Sequence, residues 1–122
     1  MNFKGRTFPF RLRCAGQGIA QAWLREASFR LQTLAAVFAL GSLFFLHPPL
    51  VWAVLVIILV CFVLAMELVN TAVEYVLDGL HPEEAEFVRI AKDCAAGAVL
   101  VSSMCALAVY IMMLIALMRH SG

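Results

Sequence analysis

Residues 50–80 read LVWAVLVIILVCFVLAMELVNTAVEYVLDGL, and this run decides what kind of protein the chain can be. No charge occurs from Leu50 to Met66, and no proline interrupts the run before Pro82. One helix can therefore continue to about Leu80, which at 1.5 Å per residue is roughly 45 Å, longer than a bilayer core of about 30 Å. Its last turns emerge into the interface, and there the composition changes. Glu67, Asn70, Glu74 and Asp78 follow at spacings of 3, 4 and 4. At 100° per residue they share an arc of about 80°, so one helix face carries three carboxylates and an amide. Glu67 lies about 25 Å along the span, near one interface rather than at the midplane.

Outward from this helix the apolar character continues. Charges are absent from Leu31 to Pro49 and from Cys94 to Met118, and 64% of the 122 residues are hydrophobic. A soluble domain of this size has no interior large enough to hide that surface. Three transmembrane helices are predicted, over about 29–46, 50–69 and 94–118. The first can begin near Ser28, with Arg30 reaching back toward the headgroups. Pro48-Pro49 breaks the chain into a helical hairpin, because neither residue can continue the preceding helix. Gly79 and Pro82 end the second helix, Glu83-Glu84-Ala85-Glu86 forms a short loop, and the third helix begins near Phe87 or Val88.

Ahead of the spans, Leu12, Ala15, Ile19, Ala22 and Trp23 recur at helical spacing, opposite Arg13, Gln17, Gln21 and Arg25. This predicts an amphipathic helix over about 10–27 lying on the membrane surface. Glu26 then projects from the middle of its apolar face, where a carboxylate requires a partner. The expected architecture is an all-α integral membrane protein, residues 1–122 as one domain, with three spans and an N-terminal surface helix.

The formal charge of +1 conceals an asymmetry. Lys4, Arg6, Arg11, Arg13, Arg25 and Arg30 precede the first span, Arg89 and Lys92 lie between the second and third, and only Arg119 follows the last. The positive-inside rule places the N-terminus and the 78–92 segment in the cytoplasm and the C-terminus outside. No cleavable leader is expected, since about thirty amphipathic residues precede the first apolar run. Cys14, Cys61, Cys94 and Cys105 lack C-x-x-C spacing and read as small packing residues. His47, His81 and His120 are scattered and do not suggest a metal site. No nucleic-acid partner is expected.

The carboxylate face carries the functional signal. Like charges at i, i+4 repel, and ionisable groups at membrane depth cost about 2.5–3.5 kcal/mol at the bilayer centre, so the set requires cations. Arg89 and Lys92 supply some. A divalent metal is the other source, since carboxylate oxygens suit Mg²⁺ together with phosphate oxygens. Lys92-Asp93 stands at the entrance of a helix that continues Cys94-Ala95-Ala96-Gly97-Ala98, whose small residues permit close helix approach. A lysine beside a carboxylate face is a phosphate partner in outline. No Walker motif or protein-kinase loop is present, and Gly16-Gln17-Gly18 is a lone G-x-G with no strand before it.

Three segments together resemble the bacterial diacylglycerol kinase family, which includes undecaprenol kinases. They are Glu26-Ala27-Ser28-Phe29-Arg30, then Glu67-Leu68-Val69-Asn70-Thr71-Ala72-Val73-Glu74 with Asp78 behind it, and Ala91-Lys92-Asp93-Cys94-Ala95-Ala96-Gly97-Ala98-Val99. The similarity runs from about residue 12 to 116. It implies a homotrimer in the bacterial cytoplasmic (inner) membrane, with active sites shared between subunits, that moves the γ-phosphate of ATP to the hydroxyl of a lipid alcohol, with Mg²⁺ as the metal. By position, the resemblance implies that Glu67 is the catalytic carboxylate and that Glu26 and Glu74 hold the metal. Glu26, Glu74, Lys92 and Asp93 fall at its ATP site, and Asn70 and Asp78 at supporting polar positions. Trp23, Phe29 and Arg30, with Glu67, fall where the family contacts its lipid substrate. The chain departs from the best-known diacylglycerol kinases at Gly16, where they carry an aromatic residue, and the wording of Asn70-Thr71-Ala72 and Ala95-Ala96-Gly97-Ala98 leans toward the undecaprenol kinase branch.

Two other readings compete. A small proton-coupled exporter would use Glu67 as its membrane carboxylate, but a carrier wants such a group near the midplane on a path open to both sides. A catalytically inert assembly subunit would leave Glu26, Glu74 and Lys92 without a reason to converge.

Overall fold

The computed structural model describes Gly5 and residues 7–121; Lys4, Arg6 and Gly122, which enter the topology argument, lie outside the described residues. It contains four helices in chain order: α1 (Phe8–Arg25), α2 (Ala27–Leu46), α3 (Leu50–Leu80) and α4 (Glu86–Ser121). Among the described residues there is no strand. α2, α3 and α4 are each long and apolar enough to cross a membrane, as befits a multi-pass membrane protein.

The breaks follow local chemistry. Glu26 leaves helical geometry, at φ −111° and ψ 109°, and separates α1 from α2. It is therefore not on the apolar face of a helix reaching residue 27, as the periodicity suggested, but at an elbow between two helices. The α2–α3 turn is made by His47, which adopts the left-handed conformation at φ 47° with its N–H bonded to the Leu43 carbonyl at 3.1 Å. Glycine usually fills that capping role because it has no Cβ to clash. Pro48-Pro49 follows, and the Pro49 carbonyl accepts from Trp52 N–H at 3.0 Å to start α3. α3 then continues unbroken through Gly79 to Leu80, where the His81 N–H closes it on the Leu77 carbonyl at 2.8 Å. α4 begins at Glu86, slightly before the expected Phe87 or Val88.

α3 is the central element, packed between α2 and α4, and α1 touches both α2 and α3. The core joins Ala36 of α2, Val56 and Val60 of α3, and Met113 of α4, which is fully buried. α2 and α4 meet through side chains: Gln32 Nε2 donates to Ser103 Oγ at 3.0 Å, and Ser42 Oγ lies 2.7 Å from the Tyr110 hydroxyl. Most of each span still faces outward. Cys61, Cys94 and Cys105 are among the exposed residues, so the packing expected of them is not against this chain's interior.

Candidate active site

The carboxylate face lies where α1, the start of α2 and the charged end of α3 come together. Because α3 is continuous from Leu50 to Leu80, Glu67, Asn70, Glu74 and Asp78 keep the shared arc that their spacing implies. Their surroundings differ sharply. Glu67 is only 3% exposed, and its Oε2 accepts a hydrogen bond from Ser28 Oγ of α2 at 3.2 Å. Its Oε1 accepts none among the described residues. Glu26 and Glu74 lie within electrostatic reach of Glu67.

Asn70 Nδ2 donates to Glu74 Oε1 at 3.3 Å, which leaves Asn70 Oδ1 buried without a partner. Turning the amide over would set its oxygen against the Glu74 carboxylate, so the orphan acceptor is a property of the site. Thr71 contributes nothing to the carboxylates: its hydroxyl donates to the Glu67 backbone carbonyl at 2.9 Å.

Arg30, at an expected substrate position, turns back to the elbow. Its guanidinium donates to the carbonyls of Trp23 at 2.7 Å and Leu24 at 3.3 Å, groups that the end of α1 leaves unsatisfied. Phe29 is 4% exposed and packs inside, whereas Trp23 is exposed. Between α1 and α3 lies a cleft of about 590 Å³, lined by Gly18, Gln21, Ala22, Arg25, Thr71 and Tyr75 among others. The Arg25 guanidinium sits 5.7 Å from the centre of the Tyr75 ring, in the range of a cation–π contact.

Lys92 and Asp93 diverge. Lys92 Nζ donates to Asp78 Oδ1 at 2.7 Å and so joins α4 to α3, while Asp93 accepts from Arg89 on its own helix at 3.2 Å, at the exposed surface. The hydrogen bond to Asp78 raises the Lys92 pKa, with the charges of Asp78, Glu74 and Glu84 adding to it and desolvation opposing it. Lys92 is thus held as a cation beside the carboxylate face.

The donors suit a small oxygen-loving cation only in part. Among the described residues no three of His, Cys, Asp and Glu converge on one point. Glu26, Glu74 and the unsatisfied Asn70 oxygen are nevertheless hard oxygen donors, and Mg²⁺ commonly takes one or two carboxylates and completes its shell with phosphate and water. In donor type, though not in a converged cluster, these residues fit a cation that takes most of its ligands from phosphate and water.

The model of the prokaryotic diacylglycerol kinase family matches residues 13–114, from within α1 to within α4 and including all of α2 and α3. The chain belongs to that family. It is 35% identical over 98 residues to a diacylglycerol kinase of Synechocystis sp., an alignment covering 80% of this chain and 56% of that protein, so the chain spans a little over half of this relative's length. It is 34% identical over 86 residues to the diacylglycerol kinase of Escherichia coli K12, covering 70% of each. An undecaprenol kinase of Bacillus subtilis is 31% identical over 87 residues, covering 71% of each chain. The family and these relatives support a lipid kinase and lend no support to an exporter. Within this kinase family member, Ser28 is the residue that reading by sequence passed over. It stood inside a quoted motif, but nothing local marks a serine whose partner is 39 positions away.

Proposed function

We propose that this family member transfers the γ-phosphoryl group of ATP to the hydroxyl of a membrane lipid alcohol, diacylglycerol or undecaprenol, at the cytoplasmic face of the bacterial inner membrane. The observation that carries this reading is the state of Glu67. A carboxylate near the end of a span, buried, with one oxygen held by Ser28 and the other without a hydrogen bond among the described residues, is arranged to accept a proton from an alcohol arriving within the bilayer. As Glu67 Oε1 takes that proton, the alcohol oxygen forms its bond to the γ-phosphorus, the bond to the bridging oxygen breaks, and ADP leaves.

Glu26 and Glu74 hold Mg²⁺ in this reading, and bound Mg²⁺ offsets charge on the transferring phosphoryl group. Lys92 supports the phosphates from α4, with Asp78 fixing its position and Asn70 fixing Glu74. Asp93 belongs to the nucleotide site with Lys92, while Trp23, Phe29 and Arg30 shape the approach of the lipid. The cleft beside Arg25 and Tyr75 is of a size that small ligands occupy. The exposed span faces and the orphan Asn70 oxygen support a shared site in a homotrimer, in which a neighbour packs against this chain. The excess of basic residues from the N-terminal segment to Arg30 and in the first turns of α4, at Arg89 and Lys92, supports a cytoplasmic N-terminus and an external C-terminus.

The test is transfer of labelled γ-phosphate from ATP, in mixed micelles containing either diacylglycerol or undecaprenol. Label appearing in a lipid phosphate is the expected result, and the preferred acceptor identifies the substrate. Folded protein that labels neither lipid overturns the proposal.

A further inference from the structure

Most hydroxyls in the apolar helices are spent locally. Thr33 donates to Phe29 O at 2.8 Å, Ser42 to Ala39 O at 2.7 Å, Thr71 to Glu67 O at 2.9 Å and Ser102 to Ala98 O at 2.9 Å, all carbonyls one turn back on the same helix. Such back-bonding is the default for Ser and Thr in a helix. Ser28 does otherwise. It stands in the first turn of α2, directly after the break at Glu26, and the carbonyl four residues back, that of Leu24, accepts from Arg30 instead. Because the helix breaks at Glu26, that carbonyl belongs to α1 and the usual back-bond is not available, and the Ser28 hydroxyl crosses to α3 and donates to Glu67 Oε2 at 3.2 Å.

Among the described residues this is the one side-chain hydrogen bond that Glu67 receives. The two nearest polar groups on α3 are committed elsewhere, Thr71 to a backbone carbonyl and Asn70 to Glu74. A carboxylate with a single anchored oxygen is fixed in rotation about its last torsion, and its other oxygen then has a defined direction.

We infer that Ser28 is a positioning residue for phosphoryl transfer, holding Glu67 Oε2 so that Oε1 faces the acceptor hydroxyl. The inference rests on the reading of Glu67 as the base. Ser28 touches neither lipid nor nucleotide in this role and acts through Glu67. Its effect therefore falls on turnover and not on the affinity for MgATP.

The experiment compares Ser28→Ala, Ser28→Thr and Ser28→Val with the parent and with Glu67→Gln, measuring kcat and KM for MgATP and for the lipid alcohol in mixed micelles. Losing a hydrogen bond to a charged group lowers kcat about 10- to 100-fold in the Ala and Val variants. KM for MgATP stays within about twofold, and Ser28→Thr, which restores the hydroxyl, stays within about threefold of the parent kcat. Thr and Val share one shape, so their comparison decides the matter even where Ser28→Ala fails to fold. Equal kcat in Thr and Val overturns the positioning role. If that happens while Glu67→Gln is inactive, the base assignment stands and only Ser28 is excluded; an active Glu67→Gln removes the base assignment and this inference together.

Discussion

The ammonium of Lys92 lies 2.7 Å from the Asp78 carboxylate and fastens the first turns of α4 to the last turns of α3. Both residues are on the charged rim of the bundle, and Lys92 remains in water's reach, so the contact matters for placing a cation more than for holding the fold. Its pKa is raised, chiefly by the hydrogen bond to Asp78. A raised pKa means the folded protein favours the charged lysine: the contribution is complete below lysine's ordinary value and is lost only as pH climbs through the still higher folded value.

The tether should therefore be insensitive to pH between about 6 and 9, well below lysine's ordinary pKa of about 10.4. KM for MgATP in the parent should show no Lys92 titration in that window. Lys92→Met should raise it about tenfold throughout, the loss of one charge-assisted contact to phosphate. Steady-state kinetics at several pH values checks both, and an effect of Lys92→Met confined to one end of the window contradicts the assignment.

Glu67→Gln should abolish lipid phosphorylation while MgATP still binds, because the amide keeps the shape of the carboxylate and accepts no proton. Loss of general-base help costs about 10²–10⁴-fold in rate. Turnover at saturating ATP, alongside nucleotide affinity for the same variant, separates chemistry from binding. Turnover within a few-fold of the parent would move the role of base to another residue, Asp93 being the next to test.

Glu26→Gln and Glu74→Gln should each weaken Mg²⁺-dependent nucleotide binding and leave the oligomer intact, since each removes a charged oxygen donor outside the apolar core. Titrating Mg²⁺ at fixed ATP reads this directly. An unchanged Mg²⁺ requirement in both variants counts against a metal role for either.

Reporter tags near Lys4 and Glu84 should report from the cytoplasm and one at Gly122 from the outside, because eight of the nine Lys and Arg residues precede Cys94 and only Arg119 follows the third span. Impermeant thiol labelling or paired reporter fusions make the measurement. A cytoplasmic C-terminus is incompatible with three crossings.

By itself the sequence determined that the chain is helical, where its long apolar helices lie and where the chain turns before and after α3. Apolar run lengths set α2, α3 and α4, Pro48-Pro49 set the break before α3, and a 3-4-4 spacing aligned Glu67, Asn70, Glu74 and Asp78 on one face. These features are legible because hydropathy and backbone restriction act within a few residues of the chain. The tertiary structure alone decided that Glu67, and not Glu74 or Asp78, is closed off from solvent, that Glu26 sits at an elbow, and that Arg30 caps the end of α1. It also decided that Lys92 and Asp93, neighbours in the chain, face different partners, and that Ser28 reaches Glu67 across 39 positions. Each of these outcomes depends on how far one helix is rotated and shifted against another. That is set by packing such as Met113 against Ala36, Val56 and Val60, and no local pattern encodes it.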